Sequence, residues 1–345
     1  MAPESPARRI ARLLRARRSF LVCGHIRPDA DCIGSQLALA RVLSAMGKQV
    51  VVWLADPVPE QCRFLPGSAG IRLPDDREDP PGELAVVLDT PNPDRLGRIA
   101  GRVLAMPAVV NIDHHPSNIR WGDPHWVEPG MAATAEFIYL LAKELGVSID
   151  RDIAVCLYAG IVTDTGRFSY DNTTPFTHRV AAELVERGAD PHETYERLYA
   201  SHPPRRMRLL ARVLEGLRVD PDGAFARLWI RRRMYEESGA GPEDADGFIN
   251  FARDLDGVRV AALFEETAGG GVRVSLRSRD AAVDVNELAA RYGGGGHPGA
   301  AGANVAGEPE EIERRVCGDV RAALARPGGT GRDTHRGEAG GADVA

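Results

Sequence analysis

The 345-residue chain contains no uninterrupted apolar run near the roughly 18 residues that a membrane span needs, which excludes a transmembrane protein. It also lacks an excess of positive charge. Its 43 Lys and Arg stand against 49 Asp and Glu, a net charge of −6 at pH 7, so coating a long nucleic-acid duplex through a basic surface is excluded. A small anionic substrate suits that balance if something local, such as a metal ion, supplies the positive charge. Cysteine is sparse: Cys23, Cys32, Cys62, Cys156 and Cys317 are odd in number and form no C-x-x-C pair. Neither a disulfide framework nor a zinc ribbon is expected, and a soluble protein of the reducing cytoplasm is. No internal repeat of fixed period occurs. With 43% hydrophobic and 27% charged residues, the composition is that of a globular chain, neither collagen-like, mucin-like nor wholly disordered. The arginines at 8, 9, 12, 15, 17 and 18 surround Ile10, Leu13 and Leu14 at helical spacing and lead into a strand without a small-residue cleavage site. They read as the solvated face of a surface helix, not as a transit peptide.

What is present is an alternation of short apolar runs and helical periods. Strands are expected at Phe20–Gly24, Gln49–Leu54, Leu84–Leu88 and Ala108–Ile112. Helices are expected at Ile33–Met46, around Arg95–Leu104, and at Ala133–Leu145, Asp152–Val162 and Thr177–Arg187. This β-α-β texture predicts a parallel sheet flanked by helices. A helical stretch with little strand character follows, from Glu193 to Leu217, and Pro221-Asp222-Gly223 reads as a turn at a domain boundary. Beyond it, strands at Phe225–Arg231, Val258–Glu265 and Val272–Leu276, with helices at Ala282–Tyr292 and Pro309–Leu324, make a smaller α/β module. The expected organisation is therefore a catalytic domain at 1–190, a helical connector at 191–222, a second domain at 223–326 and a disordered tail at 327–345.

The chemistry concentrates at predicted strand ends, where open α/β sheets place ligands. His25-Ile26-Arg27-Pro28-Asp29-Ala30-Asp31 sets one imidazole and two carboxylates on a short strand-to-helix loop. A helix cap accounts for one of these aspartates but not for His25 with both. Asp89 ends the run Val86-Val87-Leu88, and Asp113-His114-His115 follows Val110-Asn111-Ile112. Asp164 lies near the C-terminus of an apolar helix, where a carboxylate opposes the helix dipole unless something positive offsets it. Together, His25, Asp29, Asp31, Asp89, His114 and Asp164 form a ligand set for two ions sharing a bridging carboxylate. Oxygen and imidazole without thiolate favour Mn²⁺ over structural zinc. Two ions about 3.5–4 Å apart are a standard arrangement for in-line attack on phosphorus.

In the second module, Gly293-Gly294-Gly295-Gly296-His297-Pro298-Gly299 reads as a phosphate or nucleotide cradle, because consecutive glycines let backbone N–H groups approach an anion. Just upstream, Arg277 in Ser275-Leu276-Arg277-Ser278 suits bidentate phosphate contact, with Asn250 and Arg253 as weaker candidates. Gly269-Gly270-Gly271 reads only as a hairpin connection.

These segments, in this order from Phe20 to Leu324, resemble the DHH phosphoesterase family, in particular the DHH–DHHA1 arrangement of the nanoRNase/pAp phosphatases. The resemblance rests on HIRPDAD followed by IGS, and on VVLDT, NIDHH, GIVTDTGRFSY, SLRS and GGGGHPGAAG. It implies a parallel-sheet DHH domain and a smaller α/β DHHA1 domain with the active site in the cleft between them. His25 and Asp29 would hold one Mn²⁺, Asp31, His114 and Asp164 the other, and Asp89 would bridge them, with Mg²⁺ or Co²⁺ as substitutes. Asp113 would orient the metal-binding loop, and His115 would contact the scissile phosphate or assist the leaving group. Arg277, Ser278, Gly295, Gly296 and His297 would hold the rest of the substrate. The family often has Gly where Ala30 stands and Ala where Cys32 stands; Cys32 is expected to pack. The implied activity is hydrolysis of short oligoribonucleotides, and of 3′-phosphoadenosine 5′-phosphate (pAp) to AMP and phosphate. A cyclic-dinucleotide or pApA phosphodiesterase and a non-hydrolysing nucleotide-sensing module are the alternatives. Homodimerisation is left open.

Overall fold

Apolar runs bounded by turn residues become the strands of the first sheet: β1 (Ser19–Cys23), β2 (Gln49–Trp53), β3 (Leu84–Leu88), β4 (Val109–Asp113) and β5 (His125–Val127). Their order is β2-β1-β3-β4-β5 and every pairing is parallel. A parallel sheet is covered on both faces, and the central strands show it in sequence as unbroken apolar runs. Phe20 and Val22 of β1, with Leu84, Val86 and Leu88 of β3, face the helices Ala30–Ala45, Thr134–Leu145 and Arg151–Asp164. Leu21, Cys23, Ala85 and Val87 face the opposite way, against Leu96, Ile99 and Val103. Burying a Leu, Val or Phe side chain in this way stabilises by about 1.5–3 kcal/mol. The sheet therefore gives the loops at its strand ends a stiff base.

The structure is a computed structural model that describes residues 4–267 and 269–326; the tail expected at 327–345 lies outside the described residues. The chain divides into two compact units, the first ending at His202 and the second beginning at Pro203. The second unit holds β6 (Arg218–Val219), β7 (Phe225–Ile230), β8 (Val260–Glu266), β9 (Val272–Ser278), β10 (Gly295–His297) and β11 (Ala300–Val305). These run in the order β10-β11-β9-β8-β7-β6, with only the β7–β8 pair parallel. The helices Val285–Ala290 and Pro309–Leu324 cover one face and Pro204–Glu215 and Phe248–Arg253 the other. Among the described residues no helix is long and apolar enough to cross a membrane.

Three local differences from expectation have physical causes. The helix expected around Arg95–Leu104 is a 3₁₀ segment, Pro93–Ile99, followed by Ala100–Leu104, because Gly97 takes a left-handed φ of 59°. The stretch from Glu193 to Leu217 is broken before the helix Pro204–Glu215, where Pro203 and Pro204 cannot donate to a helical ladder. The glycine run, for which no strand was expected, contributes β10, which pairs with β11 as a hairpin.

Candidate active site

The first unit gathers its chemistry at the carboxyl ends of β1, β3 and β4. Asp89 follows β3 directly and has a left-handed φ of 56°. A non-glycine residue held there costs about 1–3 kcal/mol, a strain that clusters at functional sites. Its backbone N–H donates to Ile112 O at 3.0 Å, which fixes the turn. The buried carboxylate accepts from Thr134 Oγ1 at 3.0 Å through Oδ1 and meets His25 Nε2 at 3.2 Å through Oδ2. His114 Nε2 and His115 Nδ1 approach Asp89 Oδ1 at 3.5 and 3.6 Å. Burial works against ionisation of Asp89, but His25, His115 and His114 more than reverse it and hold the carboxyl well below the usual range.

Asp31 is fully buried in the first turn of the helix Ala30–Ala45. Its Oδ2 accepts from Thr134 N at 2.6 Å and its Oδ1 from Ala135 N at 2.9 Å and Ser35 Oγ at 3.1 Å. It thereby caps the helix Thr134–Leu145 from a different element, and that helix has no capping side chain at its own Ala133. Burial, then the charges of Asp164 and Asp89, push the Asp31 carboxyl up.

Asp164 ends the helix Arg151–Asp164, and its Oδ2 lies 3.0 Å from His114 Nε2. Burial lowers the His114 imidazole, but Asp164, Asp89 and Asp31 lift it well above its ordinary value. Asp29 occupies the helix N-cap, with Oδ1 accepting from Asp31 N and Cys32 N at 3.1 and 3.0 Å. It is the most exposed of the six proposed ligands, and its Oδ2 stands 3.9 Å from His25 Nε2. The capping explanation thus holds for Asp29 and not for Asp31.

Three donor groups result, each with all its ligand atoms within 4.8 Å of one another: His25, Cys32 and Asp89; Asp89, His114 and His115; Asp31, His114 and Asp164. Carboxylates this close repel one another, and a divalent cation relieves that repulsion. The oxygen- and imidazole-rich set fits a hard or borderline divalent ion. Beside it, His115 Nδ1 lies 2.7 Å from Asp113 Oδ1, and the other oxygen of the fully buried Asp113 accepts from Asn118 Nδ2 at 2.6 Å.

In the second unit, Arg277 and Ser278 sit at the end of β9, where Arg277 is in register with Ala300 of β11 and Ala261 of β8. Arg277 Nη1 donates to Leu276 O at 3.0 Å. The Ser278 hydroxyl donates to Asp280 O at 2.9 Å and accepts from Asp280 N at 3.1 Å, so it shapes the turn after β9. Gly296 has a φ of 153°, and a Cβ there would collide with the Ala300 carbonyl. Its N–H donates to Asn286 Oδ1 at 2.8 Å. The glycine at 296 therefore serves hairpin packing, and Gly295 is the exposed member of the pair. Half-buried His297 lies opposite Ala300. Arg253 pairs with Asp254 at 2.8 Å.

Residues 19–161 match the family model for the DHH family, N-terminal domain, and residues 225–316 match that for the DHHA1 domain. The bifunctional oligoribonuclease and PAP phosphatase NrnA of Thermus thermophilus is 39% identical over 326 residues, 93% of this chain and 95% of that protein. The chain belongs to the DHH family. The Bacillus subtilis protein of the same name is 31% identical over 284 residues, covering 81% of this chain and 87% of its own length. An exopolyphosphatase-related protein from Bacteroides fragilis superposes with a TM-score of 0.86 at 26% identity, over 92% of this chain and 97% of that one. This DHH protein is accordingly a phosphoesterase.

Sequence reasoning did not single out Thr134, Asn118 or Ser35, the donors that hold Asp89, Asp113 and Asp31. Thr134 reaches Asp89 from 45 residues away, and Asn118, five residues after Asp113, sits in a loop without a regular period, so neither carries a signal of spacing. Ser35, four residues after Asp31 on one helix face, could have been found from that spacing.

Proposed function

We propose that this protein hydrolyses short oligoribonucleotides to mononucleotides, and pAp to AMP and phosphate, with two divalent cations, Mn²⁺ foremost and Mg²⁺ or Co²⁺ as substitutes. The observation that carries the reading is the convergence of Asp31, Asp89, His114 and Asp164 with His25 beside the Asp113–His115 pair. The names of the relatives in Thermus and Bacillus supply the substrate class. His25 and Asp29 would hold one cation, Asp31, His114 and Asp164 the other, and Asp89 both. Bound there, the cations would supply an activated water and neutralise charge on the phosphoryl oxygens.

The side chains then divide the remaining work. Asp113 accepts the Nδ1 proton of His115 and so fixes the ring's tautomer and orientation, leaving Nε2 to deliver a proton to the departing ribose oxygen. Asn118 holds Asp113 in place. Arg277, with Ser278, Gly295, Gly296 and His297, grips the nucleotide, Arg277 by its fork of N–H donors. No long basic track is required for a substrate held this way. No disulfide joins any of the five buried cysteines, which suits the cytoplasm.

The test is hydrolysis of pAp, pApA, an RNA of about five nucleotides and pyrophosphate, side by side with Mn²⁺ and with chelator. AMP from pAp and mononucleotides from the short RNAs, stopped by chelator, are expected. Cleavage of pyrophosphate alone would overturn the substrate class, and nucleotide binding without any cleavage would overturn the hydrolytic reading.

A further inference from the structure

One buried nucleophile beside the donor set has no part in the reading above. Cys32 is fully buried in the first turn of the helix Ala30–Ala45, and its Sγ is gathered with His25 and Asp89 donor atoms, all within 4.8 Å of one another. Two further features fix the sulfur there. Gln36, one turn on and itself fully buried, donates from Nε2 to Cys32 Sγ at 3.1 Å and to the Cys32 carbonyl at 3.0 Å. Gly24, just before His25, leaves the room the sulfur occupies, since a Cβ at that position would collide with Cys32 Sγ and the Gln36 amide. The thiol is thus clamped from one side by an amide and has a bare backbone opposite.

We propose that Cys32 is a thiolate donor to the cation held by His25 and Asp89, making that position softer than the one formed by Asp31, His114 and Asp164. The inference rests on the two-cation reading above. Coordination forms a sulfur–metal bond and releases the thiol proton to solvent, with no change of oxidation state. Sulfur favours Co²⁺ and Zn²⁺ over Mn²⁺, while the oxygen-rich second position keeps the harder preference. The two positions then differ in metal choice, and a mixed pair is their natural filling.

The test is the absorption spectrum of the full chain loaded with Co²⁺. The wild-type protein is expected to show the visible ligand-field bands of bound cobalt together with a near-ultraviolet sulfur-to-cobalt charge-transfer band. Cys32→Ala and Cys32→Ser should each keep the visible bands and lose the near-ultraviolet one, and should yield cobalt to competing Mn²⁺ more readily. Cobalt bound without a charge-transfer band in the wild type would overturn the thiolate assignment alone. So would a band that survives in either variant, since it would belong to another cysteine. Failure of the wild-type chain to take up any cobalt would overturn the cation reading and this proposal with it.

Discussion

The two sheets solve different problems. In the first, parallel strands end side by side, so each strand presents its following residue to the same edge, and Asp89, Asp113 and the loop from His25 arrive together without any being close in sequence. In the second, antiparallel neighbours run back and forth, and the end of β9 with the β10–β11 hairpin offers backbone, Arg277 and His297 in place of a charge cluster, Arg273 of β9 being paired with Glu265. The first arrangement concentrates like charges, which demands a counter-ion. The second presents donors, which suits an anion. The contrast teaches that strand direction alone can decide whether a sheet edge becomes a charged centre or a grip.

The sharpest way to break that contrast is Asp89→Ala. Turnover of pAp with Mn²⁺ should fall to the level of the chelated wild type, because in the proposed arrangement this one carboxylate would serve both cations. Wild-type-like turnover would sink the two-cation assignment. Next, His115→Ala should lower kcat by about 10²–10⁴-fold, the usual worth of a positioned proton donor. If a substrate with a very acidic leaving group, such as a nitrophenyl phosphoester, loses as much as pAp does, His115 is not the proton donor. Arg277→Ala should act on the other side of the comparison, raising KM by about ten- to a hundredfold, as loss of a charged hydrogen bond of about 1.5–3 kcal/mol predicts, with kcat little changed. Steady-state kinetics showing a fall in kcat at constant KM would place the arginine in the chemical step.

Two smaller effects concern stability. Asp31→Ala strips the Thr134–Leu145 helix of its cap and should cost about 1–3 kcal/mol in denaturant unfolding of metal-free protein. An unchanged midpoint would mean the two backbone N–H groups find other partners. In the second unit, Arg321 and then Arg227 hold the Asp220 carboxyl below its usual range. Its stabilisation is present above the ordinary aspartate value of about 4 and is lost as pH falls through the lower folded-state value. Asp220→Asn should therefore flatten the loss of stability below about pH 4, by about 1 kcal/mol. Identical acid limbs in thermal unfolding would remove the linkage.

Much of this was legible in the chain, and what was hidden shares one cause. The apolar runs at 84–88 and 108–112 and the periodic stretch at 33–46 are local signals, and local signals also put Asp89 and His114 at strand ends. Asp29 and Asp31 could not be told apart from spacing, because what separates them is Thr134 and Ala135, about a hundred residues away. That part of the glycine run is a strand was hidden, because the requirement for glycine at 296 is set by the carbonyl of Ala300 across the hairpin. The short helix Phe248–Arg253 has too few turns to show a period and exists because Phe248, Ile249 and Ala252 pack against the second sheet.

Asp31 has a consequence for how such a protein can change. A residue that both caps a distant helix and, as proposed, holds a cation answers to two selections at once, while Ala133, where the cap would ordinarily stand, answers to neither. Ala133 is held to a small side chain by its full burial in the core alone, whereas residue 31 is held by its hydrogen bonds to Thr134 and Ala135. Anyone transplanting this centre into another scaffold would have to carry the Thr134–Leu145 helix with it, since the carboxylate is aimed by a helix that it in turn completes.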